Sequence, residues 1–232
     1  MHVKNQVPNA LTCCNLLSGC LSITSSFYGD LDAAFYWVLL GLVFDFADGF
    51  VARLLSASSS IGKELDSLAD CITFGLAPAC FLIPFLKTST YAAGYPIIIY
   101  TPFLITIFSA IRLAKFNIDT RQSELFIGLP TPANAIFSFS LPVVFEKINY
   151  FVNLDSIYII FIFVLQSYIM NSEIPLISLK FKSYDWNNNK NKYILILISI
   201  FSIYLFSIKL SIPVIVVSYI VVSIFTISWR KQ

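Results

Sequence analysis

Four aspartates define the chemistry open to this sequence. Asp45 and Asp48 stand three apart, and Asp66 and Asp70 stand four apart, so each pair shares one face of a helix. They sit in the apolar stretches Val43-Phe44-Asp45-Phe46-Ala47-Asp48 and Leu65-Asp66-Ser67-Leu68-Ala69-Asp70. A charge well inside a membrane span costs at least ~2.5–3.5 kcal/mol, so four of them need a compensating reason. If the two helices pack antiparallel through the short 55–62 turn, the pairs face each other and repel. Divalent cations relieve that repulsion, and hard carboxylate oxygens in an incomplete cage suit Mg²⁺ or Mn²⁺, whose remaining positions take water and phosphate. A proton or cation pathway lined by intramembrane acids is the alternative at this point.

Three neighbours add to the picture. Gly49 and Ala52 remove bulk beside the carboxylates, which opens the backbone to a flat ligand, although small residues also serve close helix packing. Arg53 stands where it can meet a phosphate or a site aspartate, or simply mark the cytoplasmic end of a helix.

The elements that position these residues follow from composition. Of 232 residues, 57% are hydrophobic and 12% charged, with mean hydropathy +0.79; a soluble domain carries roughly 25% charged residues. The apolar residues fall in blocks of about 20, the length that crosses the hydrocarbon. The expected fold is an all-α, polytopic membrane bundle of eight spans at about 8–28, 31–54, 64–86, 95–116, 132–150, 154–172, 192–209 and 211–229. Two connections are polar, Asn117–Gly128 and Lys180–Lys192 with its Tyr184-Asp185-Trp186-Asn187-Asn188-Asn189 run. The chain therefore reads as one membrane domain, residues 1–232, without room for a soluble one.

Basic residues give the orientation. With eight spans, one side carries Lys4, Arg53, Lys63, Arg112, Lys115, Arg121, Lys180, Lys182, Lys190, Lys192, Arg230 and Lys231, and the other only Lys87, Lys147 and Lys209. The richer side, with both termini, is expected in the cytoplasm. Met1–Ala10 lacks the pattern of a cleaved signal peptide, so the first helix is expected to be retained. Cys13, Cys14, Cys20, Cys71 and Cys80 lie in apolar stretches without CxxC spacing and read as small membrane-embedded side chains. A zinc site is disfavoured because the single histidine is His2. The net charge of +2 carries no signal for nucleic acid.

At the aspartates the chain resembles the CDP-alcohol phosphotransferase family, whose signature is D-x2-D-G-x2-A-R-x8-G-x3-D-x3-D. Asp45, Asp48, Gly49, Ala52, Arg53, Gly62, Asp66 and Asp70 fill all eight fixed positions across 26 residues. That match leaves little room for the transporter alternative. Within the family it is similar to the membrane phosphatidylserine synthases of bacterial and archaeal type. The narrower likeness rests on Pro8-Asn9-Ala10-Leu11-Thr12-Cys13-Cys14-Asn15, on Phe74-Gly75-Leu76-Ala77-Pro78-Ala79, and on Ala110–Asn117 followed by Phe126–Ala135. Singly, Gly-Leu-Pro-x-Pro is an ordinary helix-entry turn and Phe-Gly-x-Ala-Pro a kink; all three in family order are harder to dismiss. The resemblance covers about 8–135, the expected catalytic core, leaving about 150–232 as accessory helices.

The resemblance implies roles. Asp45, Asp48 and Asp66 would ligate a pair of Mg²⁺ or Mn²⁺ ions, with Asp70 as a further ligand and as general base. Asn15, Thr12, Gly49, Ala52, Arg53 and Gly62 would bind the CDP moiety. Arg112, with Lys115 one turn on, would meet the carboxylate of an acceptor amino acid. The implied reaction moves a phosphatidyl group from CDP-diacylglycerol to L-serine at the cytoplasmic side of a bacterial-type inner membrane. Other acceptors (glycerol 3-phosphate, an inositol phosphate, choline) share the motif. Phosphorylated acceptors call for more basic residues than Arg112, Lys115 and Arg121 supply, which favours a small zwitterion. Family members tend to be homodimers, which extends that expectation to this chain.

Overall fold

In the computed structural model the described residues are 4, 6–57, 59–88, 94–119, 125–152, 157–177 and 185–230. Nine α-helices account for most of them. They are α1 (Gln6–Phe27), α2 (Leu31–Leu54), α3 (Ser60–Asp70), α4 (Ala77–Lys87), α5 (Phe103–Ile118), α6 (Thr131–Val152), α7 (Ile157–Asn171), α8 (Trp186–Leu205) and α9 (Ile208–Arg230). A π-turn, Cys71–Leu76, joins α3 to α4, and a 3₁₀ turn, Pro96–Tyr100, precedes α5. Among the described residues, five helical stretches are long and apolar enough to cross a membrane: Gln6–Phe27, Leu31–Leu54, Ser60–Lys87, Pro96–Ile118 and Ile208–Thr226. The all-α architecture expected from composition is therefore present, and five of these described stretches, against eight expected spans, have the length and apolarity of a span. Arg121, the Lys180–Tyr184 segment and Lys231 lie outside the described residues.

Two local features depart from the expected pattern. Leu125–Ile127 and Pro175–Ile177 form a short antiparallel ribbon, β1–β2, with Phe126 opposite Leu176. The polar run expected to connect two spans up to Lys192 is already helical from Trp186. Trp186 stacks on Tyr193 with ring centroids 5.2 Å apart, and Asn191 Nδ2 donates to Thr226 Oγ1 of α9 at 2.7 Å. These contacts, one within α8 and one to α9, outweigh the poor helix propensity of consecutive asparagines.

The outer faces carry large apolar side chains, among them Leu17, Val43, Phe46, Phe50, Leu68 and Ile107, as a hydrocarbon solvent demands. Helix α1 is arranged the other way round. Its buried positions are Pro8, Thr12, Asn15, Ser18, Gly19, Ser22 and Ser26, so small and polar side chains face α2, α3 and α4. Small residues let membrane helices approach closely, and hydroxyls supply hydrogen bonds across the gap; Ser22 Oγ donates to the Ala34 carbonyl of α2 at 2.8 Å. The aromatic core lies further along the bundle, where Phe81 of α4 meets Phe139 of α6 at 4.2 Å between centroids.

Two devices reverse the chain between the aspartate pairs. Ser56 takes a left-handed conformation (φ +49°) at the end of α2, and Ala57 N–H reaches back to the Ala52 carbonyl at 2.9 Å, a 6→1 closure that satisfies an orphan carbonyl. Ser59 then caps α3, its Oγ accepting from Gly62 N–H at 3.0 Å. At the opposite end of α2, Asp30 caps the helix, and Lys209 of α9 pairs with Asp32 while lying over the Phe35 ring.

Candidate active site

The reversal at 55–59 brings the two aspartate pairs together. One oxygen each from Asp45, Asp48 and Asp66 lie within 4.8 Å of one another, so the antiparallel arrangement expected from spacing is realised for these three. Asp70 is one turn beyond Asp66 on the same rod and is nearly sealed, at 8% exposure. Asn15 Nδ2 of α1 donates to its Oδ1 at 3.1 Å. Asp48, 6% exposed, accepts a short 2.6 Å hydrogen bond from Thr12 Oγ1; the Pro8 carbonyl is an alternative acceptor for that hydroxyl at 3.1 Å.

Each of these placements has a local cause. Thr12 and Asn15 are three apart on the polar face of α1, so both reach the same groove. On the rod, Pro78 lacks an N–H and its ring crowds the carbonyl four residues back. The backbone answers with a π-turn, in which Ala77 N–H bonds to the Ile72 carbonyl five residues earlier. The Gly75 carbonyl accepts from Thr106 Oγ1 of α5 at 3.0 Å. An added Cβ on Gly75 would stand 3.0 Å from Ser109 Cβ, so glycine permits this contact.

A cleft of about 210 Å³ opens beside the carboxylates, lined among others by Asn9, Thr12, Asp48, Gly49, Ala52 and Gly62. Asp66 and Lys63 also border it. The expected nucleotide residues Thr12, Gly49, Ala52 and Gly62 therefore share one cavity with two of the acids. Arg53 is exposed, and its Nη1 lies 3.6 Å from where a Cβ on Gly49 would stand, at the cavity edge. Asn15 faces Asp70 instead. Asn9, which has no assigned role in the sequence, also lines this cleft; its signal is the i, i+3 relation to Thr12, and Gly62 makes the approach possible, since a Cβ there would stand 3.1 Å from Asn9 Oδ1.

The donor set fits a divalent cation. All its atoms are carboxylate oxygens, the hard ligands that Mg²⁺ and Mn²⁺ take. Asp66 Oδ1 is buried with no hydrogen-bond partner, an orphan anionic acceptor of the kind a cation satisfies. Three such groups this close are mutually repulsive without positive charge between them.

Arg112 and Lys115 belong to a second cleft, of about 310 Å³, bordered also by Asp119, Ile127, Met170 and Glu173. Arg112 Nη1 donates to the carbonyls of Ile127 at 2.8 Å and Met170 at 2.7 Å, so this arm of the guanidinium ties α5 to β1 and to the end of α7. Gly128 completes the knot with φ +72°. The sequence had suggested a cytoplasmic-side charge or a carboxylate contact for Arg112; a bond to two main-chain carbonyls leaves no mark in composition. The cleft lies beside the same rod as the acids, because Lys63 Nζ donates to the Asn117 carbonyl at 2.6 Å and Asn117 Nδ2 to Ser67 Oγ at 2.9 Å.

The family model for CDP-alcohol phosphatidyltransferase matches residues 5–179. A Helicobacter pylori CDP-diacylglycerol–serine O-phosphatidyltransferase is 34% identical over 196 residues, covering 83% of this chain and 80% of the relative. A Bacillus subtilis protein of the same name is 36% identical over 136 residues, 55% of this chain and 70% of the relative. An archaetidylserine synthase of Methanothermobacter thermautotrophicus is 38% identical over 132 residues, 56% and 54% of the two chains.

Proposed function

The chain belongs to the CDP-alcohol phosphatidyltransferase family, and from that premise we propose that it transfers the phosphatidyl group of CDP-diacylglycerol to L-serine, giving phosphatidylserine and CMP. The observation that carries the reading is the convergence of Asp45, Asp48 and Asp66 beside a cleft walled by Gly49, Ala52 and Gly62. Serine as acceptor is supported by the names of the relatives from Helicobacter and Bacillus.

Asp45, Asp48 and Asp66 would hold two divalent ions, with Asp70 as a further ligand. Bound there, Mg²⁺ or Mn²⁺ supplies the positive charge that neutralises the diphosphate and the departing CMP. Gly49, Ala52 and Gly62 leave room for cytidine and diphosphate, and Arg53 offers its guanidinium at the edge. Thr12 holds the Asp48 carboxylate in place. Asp70, oriented through Oδ1 by Asn15, accepts the serine hydroxyl proton as that oxygen attacks the phosphorus bearing diacylglycerol. The new P–O bond forms as the P–O bond to CMP breaks, without a covalent enzyme intermediate. The second cleft takes the serine: Lys115 and the other arm of the Arg112 guanidinium receive its carboxylate.

We place the eight spans expected from the sequence across a bacterial-type inner membrane, both termini and the acids at the cytoplasmic side, on the twelve-to-three division of basic residues. The donor's acyl chains then stay in lipid while cytidine and serine meet at the water boundary. The test is CMP release by purified protein in detergent with CDP-diacylglycerol, Mn²⁺ or Mg²⁺, and a panel of alcohols. Release with serine alone supports the reading. Release only with glycerol 3-phosphate keeps the chemistry and overturns the acceptor; no release with any alcohol overturns both.

A further inference from the structure

Thr73 has no part in the chemistry above, yet it is fully buried, at 0% exposure, at the point where three helical segments meet. It lies in the π-turn three residues after Asp70. Its Oγ1 donates to the main-chain carbonyl of Asn15 at 2.9 Å, and the Asn15 side chain in turn donates to Asp70 Oδ1. Asp70, the backbone to Thr73, and Asn15 thus form a closed loop between α1 and the rod.

The space around Thr73 is made by two glycines on different helices. A Cβ on Gly19 of α1 would stand 2.5 Å from Thr73 Oγ1 and 2.8 Å from its Cα. A Cβ on Gly41 of α2 would stand 2.6 Å from Thr73 Cγ2 and 3.1 Å from Asn15 Oδ1. The hydroxyl is thus pressed against one helix and the methyl against the other. Asn15 Oδ1 is itself buried without a partner among the described residues, so the bond to Asp70 is the one that orients that amide there. The orientation of Asn15 towards Asp70 depends on where Thr73 holds the α1 backbone. A π-turn at this point fits the pattern, because such turns re-aim side chains at functional sites.

We propose that Thr73 is a positioning residue: its hydroxyl, wedged between Gly19 and Gly41, fixes the α1 backbone at Asn15 and so sets the Asp70 carboxylate for metal binding and proton transfer. The proposal rests on the role given to Asp70 above. Losing an outer partner of a ligating carboxylate lowers metal affinity or activity by roughly 10–100-fold.

The experiment compares Thr73→Val, which keeps the shape and removes the hydroxyl, with Thr73→Ser, which keeps the hydroxyl. Thr73→Ala, which adds no bulk, replaces the valine variant if that is not recovered folded by size exclusion. Two quantities are read on full-length protein in detergent: Mn²⁺ affinity without substrate, by electron paramagnetic resonance, and kcat and KM for CMP release. The hydroxyl-free variant is expected to bind Mn²⁺ about tenfold more weakly and to lose about tenfold in kcat, with both KM values within about twofold. Thr73→Ser is expected to stay within about twofold of the unsubstituted protein throughout. Unchanged Mn²⁺ affinity and kcat without the hydroxyl, or an equal loss in Thr73→Ser, overturns the proposal. The Mn²⁺ arm needs no acceptor: an unsubstituted protein inert towards serine, with the expected Mn²⁺ pattern, sinks the serine reading and leaves Thr73 standing. Normal serine turnover with an unaltered hydroxyl-free variant does the reverse.

Discussion

Asn15 of the first helix and Asp70 of the third rod are joined by a 3.1 Å hydrogen bond in a region sealed from solvent. The donor is the amide nitrogen, so the carboxylate oxygen it meets is held as an acceptor and its partner oxygen is left for other work. The first helix, read from sequence as a nucleotide contact, therefore also serves as a brace. Thr12 supplies the second strut, to Asp48.

Removing that brace should disable the site while leaving the bundle intact. Asn15→Ala is expected to lower kcat for CMP release by roughly 10–100-fold with a near-normal size-exclusion profile. Asn15→Asp should be at least as poor, since it sets an acceptor against an acceptor and adds a negative charge. A kcat within about twofold of the unsubstituted protein for either would show that Asp70 needs no such partner.

Asp66→Asn should separate stability from function. It removes one of several crowded negative charges, so in EDTA its thermal midpoint in detergent is expected to equal or exceed that of the unsubstituted protein. A ligand at 100 times its Kd stabilises by about 2.7 kcal/mol; Mn²⁺ should raise the midpoint of the unsubstituted protein in this way and barely move that of Asp66→Asn. Turnover should be abolished in the variant and, in the unsubstituted protein, by strict chelation. Activity that survives EDTA would remove the metal role altogether.

The acids were legible because charge inside apolar blocks is visible in composition and their spacing places them on helix faces. The partners of Thr12 and Asn15 were not, because a hydrogen bond between residues 36 or 55 apart depends on how α1 docks. The π-turn was legible only as a kink at Pro78; the shift of bonding register that absorbs it has no counterpart in residue type. The β1–β2 ribbon pairs two three-residue runs too short to show any period. Asn187–Asn189 suggested a connection because the run is polar, whereas α8 starts at Trp186, with Asn191 bonded to Thr226 of α9.

Gly128 and Gly29 offer a controlled comparison. Both have positive φ, +72° and +80°. A Cβ on Gly29 meets nothing within 4 Å, whereas one on Gly128 would stand 2.4 Å from the Met170 carbonyl and 2.8 Å from Arg112 Nη1. Gly29→Ala should cost only the backbone term, about 1–2 kcal/mol. Gly128→Ala adds a collision with a main-chain atom that cannot swing aside, and should lower the thermal midpoint well beyond Gly29→Ala and raise the KM for serine. Equal midpoints for the two would mean that the Arg112 knot yields freely.

Arg112 has two separable tasks, and two substitutions divide them. Its Nη1 satisfies the carbonyls of Ile127 and Met170, and an unpaired buried carbonyl costs about 1–3 kcal/mol. Arg112→Ala therefore strands two acceptors and is expected to reduce folded yield as well as activity, which makes it a poor probe of substrate contact. Arg112→Lys keeps a donor for the carbonyls but loses the planar fork that grips a carboxylate in two places. It is expected to fold, to keep kcat within a few-fold, and to raise the KM for serine about tenfold, the worth of roughly one charge-assisted hydrogen bond. Lys115→Ala, at an exposed position without structural duty, should raise the same KM by less and leave the midpoint unchanged. If Arg112→Lys shows a normal KM for serine, the guanidinium is a tether alone, and the carboxylate must be received elsewhere in the cleft.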